Sequence, residues 1–469
     1  MLSPVTDDAR LASSPSAGLG RRIGARAGQP VDIASLAALR IIFGLVMFGG
    51  IVRFLFTGWI EAMYGQPRFF FHYPGFDWVE AWSVTGMYVH YGVLAGLALA
   101  IAAGAWHRVV TPLFVVGFAY TQLIDVTNYL NHHYLVVVLG GLLAVLPAHR
   151  AWSIDAWRDP SLRASTVPAW VVWLLRFQIG VVYVFAGLAK MQSDWLVHAQ
   201  PLNVWMSARS DTPVIGPWLD ERWLAYAMSW GGFLFDTTIV VWLSWRRTRL
   251  PAFVALAGFH AATGYFFNIG MFPLIMTTSA LVFFAPSWPR RFVRGFARGA
   301  DRETAPTAYV GGGRVLRALL VAHVIVQIAL PLRHHLYPGA VAWNEDGMRF
   351  AWQVMVREKH GSITFVVRFP DGRRLEVPPH RYLTARQERE MAGQPDLILQ
   401  LARHIERELR AAGHGDVAVH ADTRVSLNGR APAPLLDPDV DLTRVTDLGP
   451  RDWVRPAPSS DPIHLRARR

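Results

Sequence analysis

The chain has 469 residues, 52% hydrophobic and only 17% charged, with a mean hydropathy of +0.24; a soluble globule carries about 25% charged residues, so the composition is that of a membrane protein. The net charge of +12 comes mainly from arginines on loops that flank apolar runs, the placement of orientation signals, and needs no nucleic acid to explain it. The absence of cysteine excludes disulfides, thiolate nucleophiles and cysteine-ligated metals.

Residues 1–32 carry Arg21, Arg22 and Arg26 without an apolar core ahead of a cleavage site, and read as a disordered cytoplasmic tail. A membrane-spanning helix needs about 20 mostly apolar residues. Nine segments are predicted to supply one, at roughly 33–56, 87–105, 109–127, 133–148, 168–189, 223–245, 250–267, 270–286 and 314–332. The connecting segments then alternate between two sides. Segments 1–32, 106–108, 149–167, 246–249 and 287–317 are rich in arginine, among them Arg108, Arg150, Arg246, Arg290 and Arg317. Segments 57–86, 128–132, 190–222 and 268–269 have Arg68, Lys190, Arg209 and Arg222. The positive-inside rule makes the first set cytoplasmic and places the chain beyond residue 333 outside.

After Pro338 short alternating stretches replace the apolar runs. Residues 362–369, Asp371-Gly372 and 374–377 predict a hairpin, and a second strand pair is expected at 417–420 and 423–427, turning at Asn428-Gly429. Between them Leu397, Leu399, Leu401, Ile405 and Leu409 mark one helical stripe stopped by Gly413. The expected fold is therefore a multi-pass α-helical membrane domain over 33–333 and an extracytoplasmic α+β, β-rich domain over 334–455, followed by a disordered tail at 456–469.

Ionisable groups at membrane depth are costly and mark candidate sites. Lys190 ends the fifth predicted span: it reads either as a lysine reaching to the interface with Asp194 as its i+4 partner, or as a desolvated amine available as a base. At the junction of the third and fourth spans stands Asn128-Tyr129-Leu130-Asn131-His132-His133-Tyr134-Leu135. Adjacent histidines point to different faces of a helix, so no metal site is expected, and no HExxH spacing occurs. One of them reads equally as a structural histidine, and Asn131 as a helix cap. Asp236, inside the sixth span, is expected to pair with Arg40, Arg53 or Arg176.

These segments together resemble the vitamin K-dependent γ-glutamyl carboxylase family, a bacterial-type homologue with an HTTM-like membrane domain. Asn131-His132-His133-Tyr134-Leu135 resembles the family's Asn-Asn-His-Ser-Tyr-Leu segment. Gly187 to Trp195 is similar to the stretch that holds its catalytic lysine, which Lys190 matches. Phe259-His260 with Asn268-Ile269-Gly270-Met271-Phe272 resembles its Phe-His and Ser-Ile-Gly-Met-Phe element. The likeness runs on through Trp343, Trp352, Asp371-Gly372-Arg373 and Val425 to Arg430. The resemblance implies a lyase-type carboxylase that couples oxidation of vitamin K hydroquinone (reduced menaquinone or phylloquinone) to epoxide with carboxylation of protein glutamate, using dioxygen and carbon dioxide. Lys190, His132 and Asn131 are the implied catalytic residues, His260, Asn268, Met271, Trp343 and Trp352 the implied substrate-binding residues, and no metal is implied. The implied partners are the bilayer and a glutamate-containing exported protein. Three departures stand out: Ala189-Lys190 replaces the two tandem lysines of animal members, Met348 a tyrosine, and Arg357 a histidine. The competing readings are a quinol epoxidase without peptide carboxylation and a non-catalytic membrane transporter or anchor.

Overall fold

The computed structural model of the chain describes residues 22–267, 269–293, 313–446 and 451–464. Residues 1–21 of the expected tail lie outside these, but from Arg22 on that tail is ordered: a helical turn leads into strand β1 (Pro30–Asp32). Its antiparallel partner β2 (Thr166–Pro168) satisfies the backbone there, which composition alone does not register.

Helices fall on every expected apolar segment: α1 (Ala34–Phe56), α2 (Val84–Ala103), α3 (His107–Leu123), α4 (Asn131–Val145), α5 (Ala169–Ala189), α6 (Arg222–Ser244), α7 (Arg249–Phe266), α8 (Phe272–Ser279) and α9 (Arg314–Leu332). Among the described residues five helices are long and apolar enough to cross a membrane, Ala34–Phe56, Val84–Ala103, Ala169–Ala189, Arg222–Ser244 and Arg314–Leu336, while Asn131–Val145 and Phe272–Phe283 are apolar but shorter. The most apolar window of α5 is 67% buried against 11% for that of α9, so α5 is the central staff of the bundle and α9 a peripheral helix. Gly187 sets how closely α5 meets α6, since a Cβ there would lie 2.6 Å from Thr237 Cγ2 and 2.9 Å from Thr237 N.

The connections gather at two ends. At one, Arg290 pairs with Asp32 (2.7 Å), Asp155 Oδ2 accepts from His107 N (2.9 Å), and Ser35 N donates to Pro286 O (2.9 Å). These are the arginine-rich segments. At the other, the arginine-poor segments meet the carboxy-terminal module: Gln387 Nε2 donates to Asp125 Oδ2 (2.8 Å), Gln400 Nε2 to His72 O (3.1 Å), and Arg430 grips Asp194.

That module holds an antiparallel sheet of order β4-β3-β5, from β3 (Lys359–Arg368), β4 (Arg374–Val377) and β5 (Ala418–Leu427), covered by α10 (Ala385–Met391) and α11 (Pro395–Ala411). The hairpin forms as expected, in register Phe365↔Val377 with Gly372 at φ 86° in its turn. The second strand pair does not. Residues 418–427 are one strand paired along its length with β3, because Val419, Ala421, Thr423, Val425 and Leu427 all bury the same face through the expected break. Nor is the tail disordered over 456–464: Ser460 O accepts from Arg430 Nε (2.8 Å) and Ile463 O from Gln200 Nε2 (3.1 Å), so backbone groups tie it down where side-chain composition promised no core, and 465–469 lie outside the described residues.

Candidate active site

Lys190 is the C-cap of α5 and is 4% exposed. Its Nζ donates to Asp236 Oδ2 at 2.8 Å, Ala186 O at 3.1 Å and Val354 O at 3.3 Å, and lies 5.1 Å from the Trp195 ring centroid. Both sequence expectations for these charges are corrected. Asp194 is not the partner of Lys190; it accepts from Arg430 Nη1 and Nη2 (2.6 Å each) and Asn428 Nδ2 (2.8 Å). Asp236 pairs with none of Arg40, Arg53 and Arg176. Arg40 donates to Trp152 O, Arg176 to carbonyls of residues 282–284, and Arg53 stacks on Trp59. The close α5–α6 approach at Gly187 is what brings Asp236 to the lysine.

Asn131 opens α4 but caps nothing, because Leu130 occupies the cap position. Its Oδ1 accepts from Tyr129 OH (3.0 Å) and its Nδ2 donates to Gln353 O (3.5 Å), while Tyr129 OH accepts from Phe350 N (2.8 Å). One strap of the carboxy-terminal half thus touches both candidate groups, Asn131 through Gln353 and Lys190 through Val354. Three non-glycine residues of that strap, Phe350, Trp352 and Met355, have φ between 54° and 63°, a region held against steric cost by the surrounding packing.

The groups line adjoining cavities. The lysine cavity, of about 70 Å³, is bounded by Lys190, Asp236, Tyr183, His260, Phe259 and Phe267. There Tyr183 OH and His260 Nε2 are 2.7 Å apart, and His260 Nδ1, on a residue 2% exposed, has no hydrogen-bond partner among the described residues. The central cavity, of about 460 Å³, is lined by Met47, Ile51, Phe54, Trp59, Phe118 and Met271 with Arg53, Gln122, Asn131, His132 and His133 as its polar groups. Ile269, Phe272, Val354 and Met355 belong to both walls. Lys190 and His132 are therefore neighbours across a thin apolar partition rather than in one open pocket.

The central cavity also shares Tyr91, Gln122, Asn131, His133 and Met355 with a polar cavity of about 730 Å³. Arg349, Arg357, Lys359, Arg386 and Arg389 line it against Glu345, Glu358 and Glu390, a cationic excess. Burial is the main influence on the Lys359 amine, lowering it to about 8 despite the Glu345 carboxylate at 3.1 Å. Met348 and Arg357, two of the three departures noted in the sequence, touch: Arg357 Nε approaches Met348 Sδ at 3.1 Å, and its Nη2 pairs with Glu345 at 3.0 Å.

The HTTM domain model matches residues 28–288, and the model of the vitamin K-dependent gamma-carboxylase lumenal domain matches residues 313–460. The chain belongs to the vitamin K-dependent γ-carboxylase family. No solved structure matches it. Within this family frame the central cavity suits a quinol: its volume lies in the range of small-molecule sites, roughly 300–1,000 Å³, and its apolar walls end in the Asn131–His133 cluster, where the His132 ring nitrogens have no hydrogen-bond partner among the described residues.

Of the residues expected to bind substrate, His260 lines the lysine cavity, Met271 lines the central cavity, and Asn268 lies outside the described residues. Trp343 and Trp352 do not reach them. Trp343 is buried in the module core with Nε1 donating to Arg455 O (2.8 Å), and Trp352 is buried in the bundle core against Tyr134; two large apolar rings found better burial than a cavity wall offers. Asp236 and Tyr183 are the groups that sequence reasoning missed. An acid inside one predicted span and an amine ending the span before it was the signal available for the first.

Proposed function

We propose that the protein is an integral-membrane enzyme that couples oxidation of vitamin K hydroquinone to the epoxide with carboxylation of glutamate in an exported protein. The observation that carries this reading is the adjacency of the cavities: a buried amine and a cationic chamber each share a wall with one apolar chamber. The bilayer supplies an apolar quinol to the apolar chamber and an acidic peptide enters the cationic one.

When bound, the hydroquinone with dioxygen supplies a base strong enough to take a glutamate γ-proton, so that carbon dioxide can add. Lys190 is the general base for a hydroquinone hydroxyl that reaches it through the wall of Ile269, Phe272, Val354 and Met355 shared by the two cavities. Its three hydrogen bonds are those of an ammonium, so it acts as a base once a proton passes from Nζ to Asp236 Oδ2, along the existing 2.8 Å contact. In a dry cavity a neutral amine beside a neutral acid replaces two unsolvated charges. Asn131 and His132 orient the reacting oxygen by hydrogen bonding, and the apolar partition keeps water from the chamber. Arginines of the polar cavity hold the substrate carboxylate.

The topology goes with this reading: nine crossings over 33–333, the arginine-rich end in the cytoplasm, and a module over 334–455 outside, beside the cavities. A reporter fused after residue 340 is expected to be active only in the extracytoplasmic compartment; activity in the cytoplasm overturns the nine-crossing arrangement.

The function is tested with purified protein in detergent, phylloquinol, oxygen, labelled bicarbonate and a glutamate-rich peptide. Epoxide and labelled peptide are expected together. Epoxide without label selects the second reading, an epoxidase, which the replacement of tyrosine and histidine by the touching pair Met348 and Arg357 favours. Neither product rejects both.

A further inference from the structure

Thr121 Oγ1 donates to Phe118 O (2.8 Å), so its lone pairs are free to accept, and Gln122 Nε2 donates to it (2.9 Å). That contact fixes the Gln122 amide with Oε1 turned to His133 Nδ1, 2.8 Å away. An amide oxygen only accepts, so Nδ1 of His133 carries the proton and Nε2 of the neutral ring is left as an acceptor. His133 and Gln122 both stand where the central and polar cavities join, while Lys190 lies beyond the partition of Ile269, Phe272, Val354 and Met355. The Phe118 ring, edge-on to His133 at 5.6 Å and 90°, holds the imidazole in its plane.

We infer that His133 Nε2 is a binding group for a 1,4-hydroquinone, accepting a hydrogen bond from the hydroxyl para to the one that faces Lys190. The inference rests on the hydroquinone reading of the central cavity. Of the two ligands that could meet His133 at this junction, the peptide glutamate is the poorer match, because an ionised carboxylate has no proton to offer an acceptor nitrogen. A hydroquinone has two hydroxyls on opposite ends of one ring. A basic group on each side of the chamber holds the ring by both ends and fixes which hydroxyl meets the lysine.

The test uses phylloquinol and its two monomethyl ethers, with binding read by quenching of tryptophan fluorescence, since Trp59 lines the chamber. Native protein is expected to bind each ether about tenfold more weakly than phylloquinol, one hydrogen bond being lost at each end. In His133→Ser the penalty for one ether should fall to within about twofold while the other stays. Gln122→Leu keeps the imidazole but frees its tautomer, and should reduce the same penalty to about threefold. The ethers keeping equal penalties in both variants overturns the inference, as does a His133→Ser protein whose peptide KM rises while its phylloquinol Kd does not. Because binding is read without turnover, the two failures separate: native protein that forms no epoxide but shows the His133-dependent penalty refutes the function alone, and epoxide formation without that penalty refutes the His133 contact alone.

Discussion

Lys190→Arg is expected to leave a folded protein that forms epoxide at about a hundredth of the native rate or less, the usual worth of a positioned general base. Arginine keeps the charge that Asp236 requires but does not give up a proton, so the variant separates base chemistry from structure. Lys190→Ala does not make that separation. It strands the Asp236 carboxylate, 6% exposed, without its cation, a loss of about 3–5 kcal/mol when one partner of a buried pair is removed. Comparing epoxide formation and thermal midpoint for both variants reads the two effects independently. An arginine variant that retains more than about a tenth of native epoxide formation removes Lys190 from the chemistry, whatever the alanine variant does.

What could be read from the chain before its structure follows the length scale of each signal. Apolar runs of span length and the arginine alternation act over tens of residues, and helices stand on all of those segments, with the arginine-poor connections gathered beside the module. The 371–372 turn and the 397–409 stripe are local patterns with a single physical outcome, and both formed. Pairings across the bundle are another matter. Asp236 had three arginines within plausible reach, and which charge it met depended on the closeness of two helix axes at Gly187, a packing quantity that no window of sequence contains. The same holds for Trp343 and Trp352. Their place in the family-like order is visible in sequence, but whether an indole faces a cavity or a core is settled by the neighbours it packs against. The strap at 350–355 was unreadable for a different reason: phenylalanine, tryptophan and methionine do not advertise positive φ, and they adopt it here because contacts on both sides hold them.

Asp194→Ala is expected to destabilise the protein by about 3 kcal/mol, near the value for stripping a buried cation of its partner. Asp194 and Arg430 side chains are each 12% exposed and joined by two 2.6 Å bonds, and Asn428 adds a third to the same carboxylate. This knot fastens the turn after β5 to the segment four residues beyond Lys190. Burial works to raise the Asp194 carboxyl, but the bonds from Arg430 and Asn428 and the guanidinium charge outweigh it and leave it below the usual carboxylate range. A depressed carboxyl stabilises the folded state in full above the ordinary aspartate range, near pH 4, and that contribution is lost as pH falls through the depressed value. The native thermal midpoint should therefore fall more steeply on acidification below about pH 4 than that of Asp194→Ala. A double-mutant cycle with Arg430→Ala isolates the pair, and a coupling of about 1.5 kcal/mol or more is expected. Epoxide formation should drop with stability, because the loosened segment also carries the lysine whose Nζ must find Asp236 on one side and Val354 O on the other. A cycle with no coupling, and a pH profile identical in the two proteins, would mean that the module is docked by its apolar contacts alone.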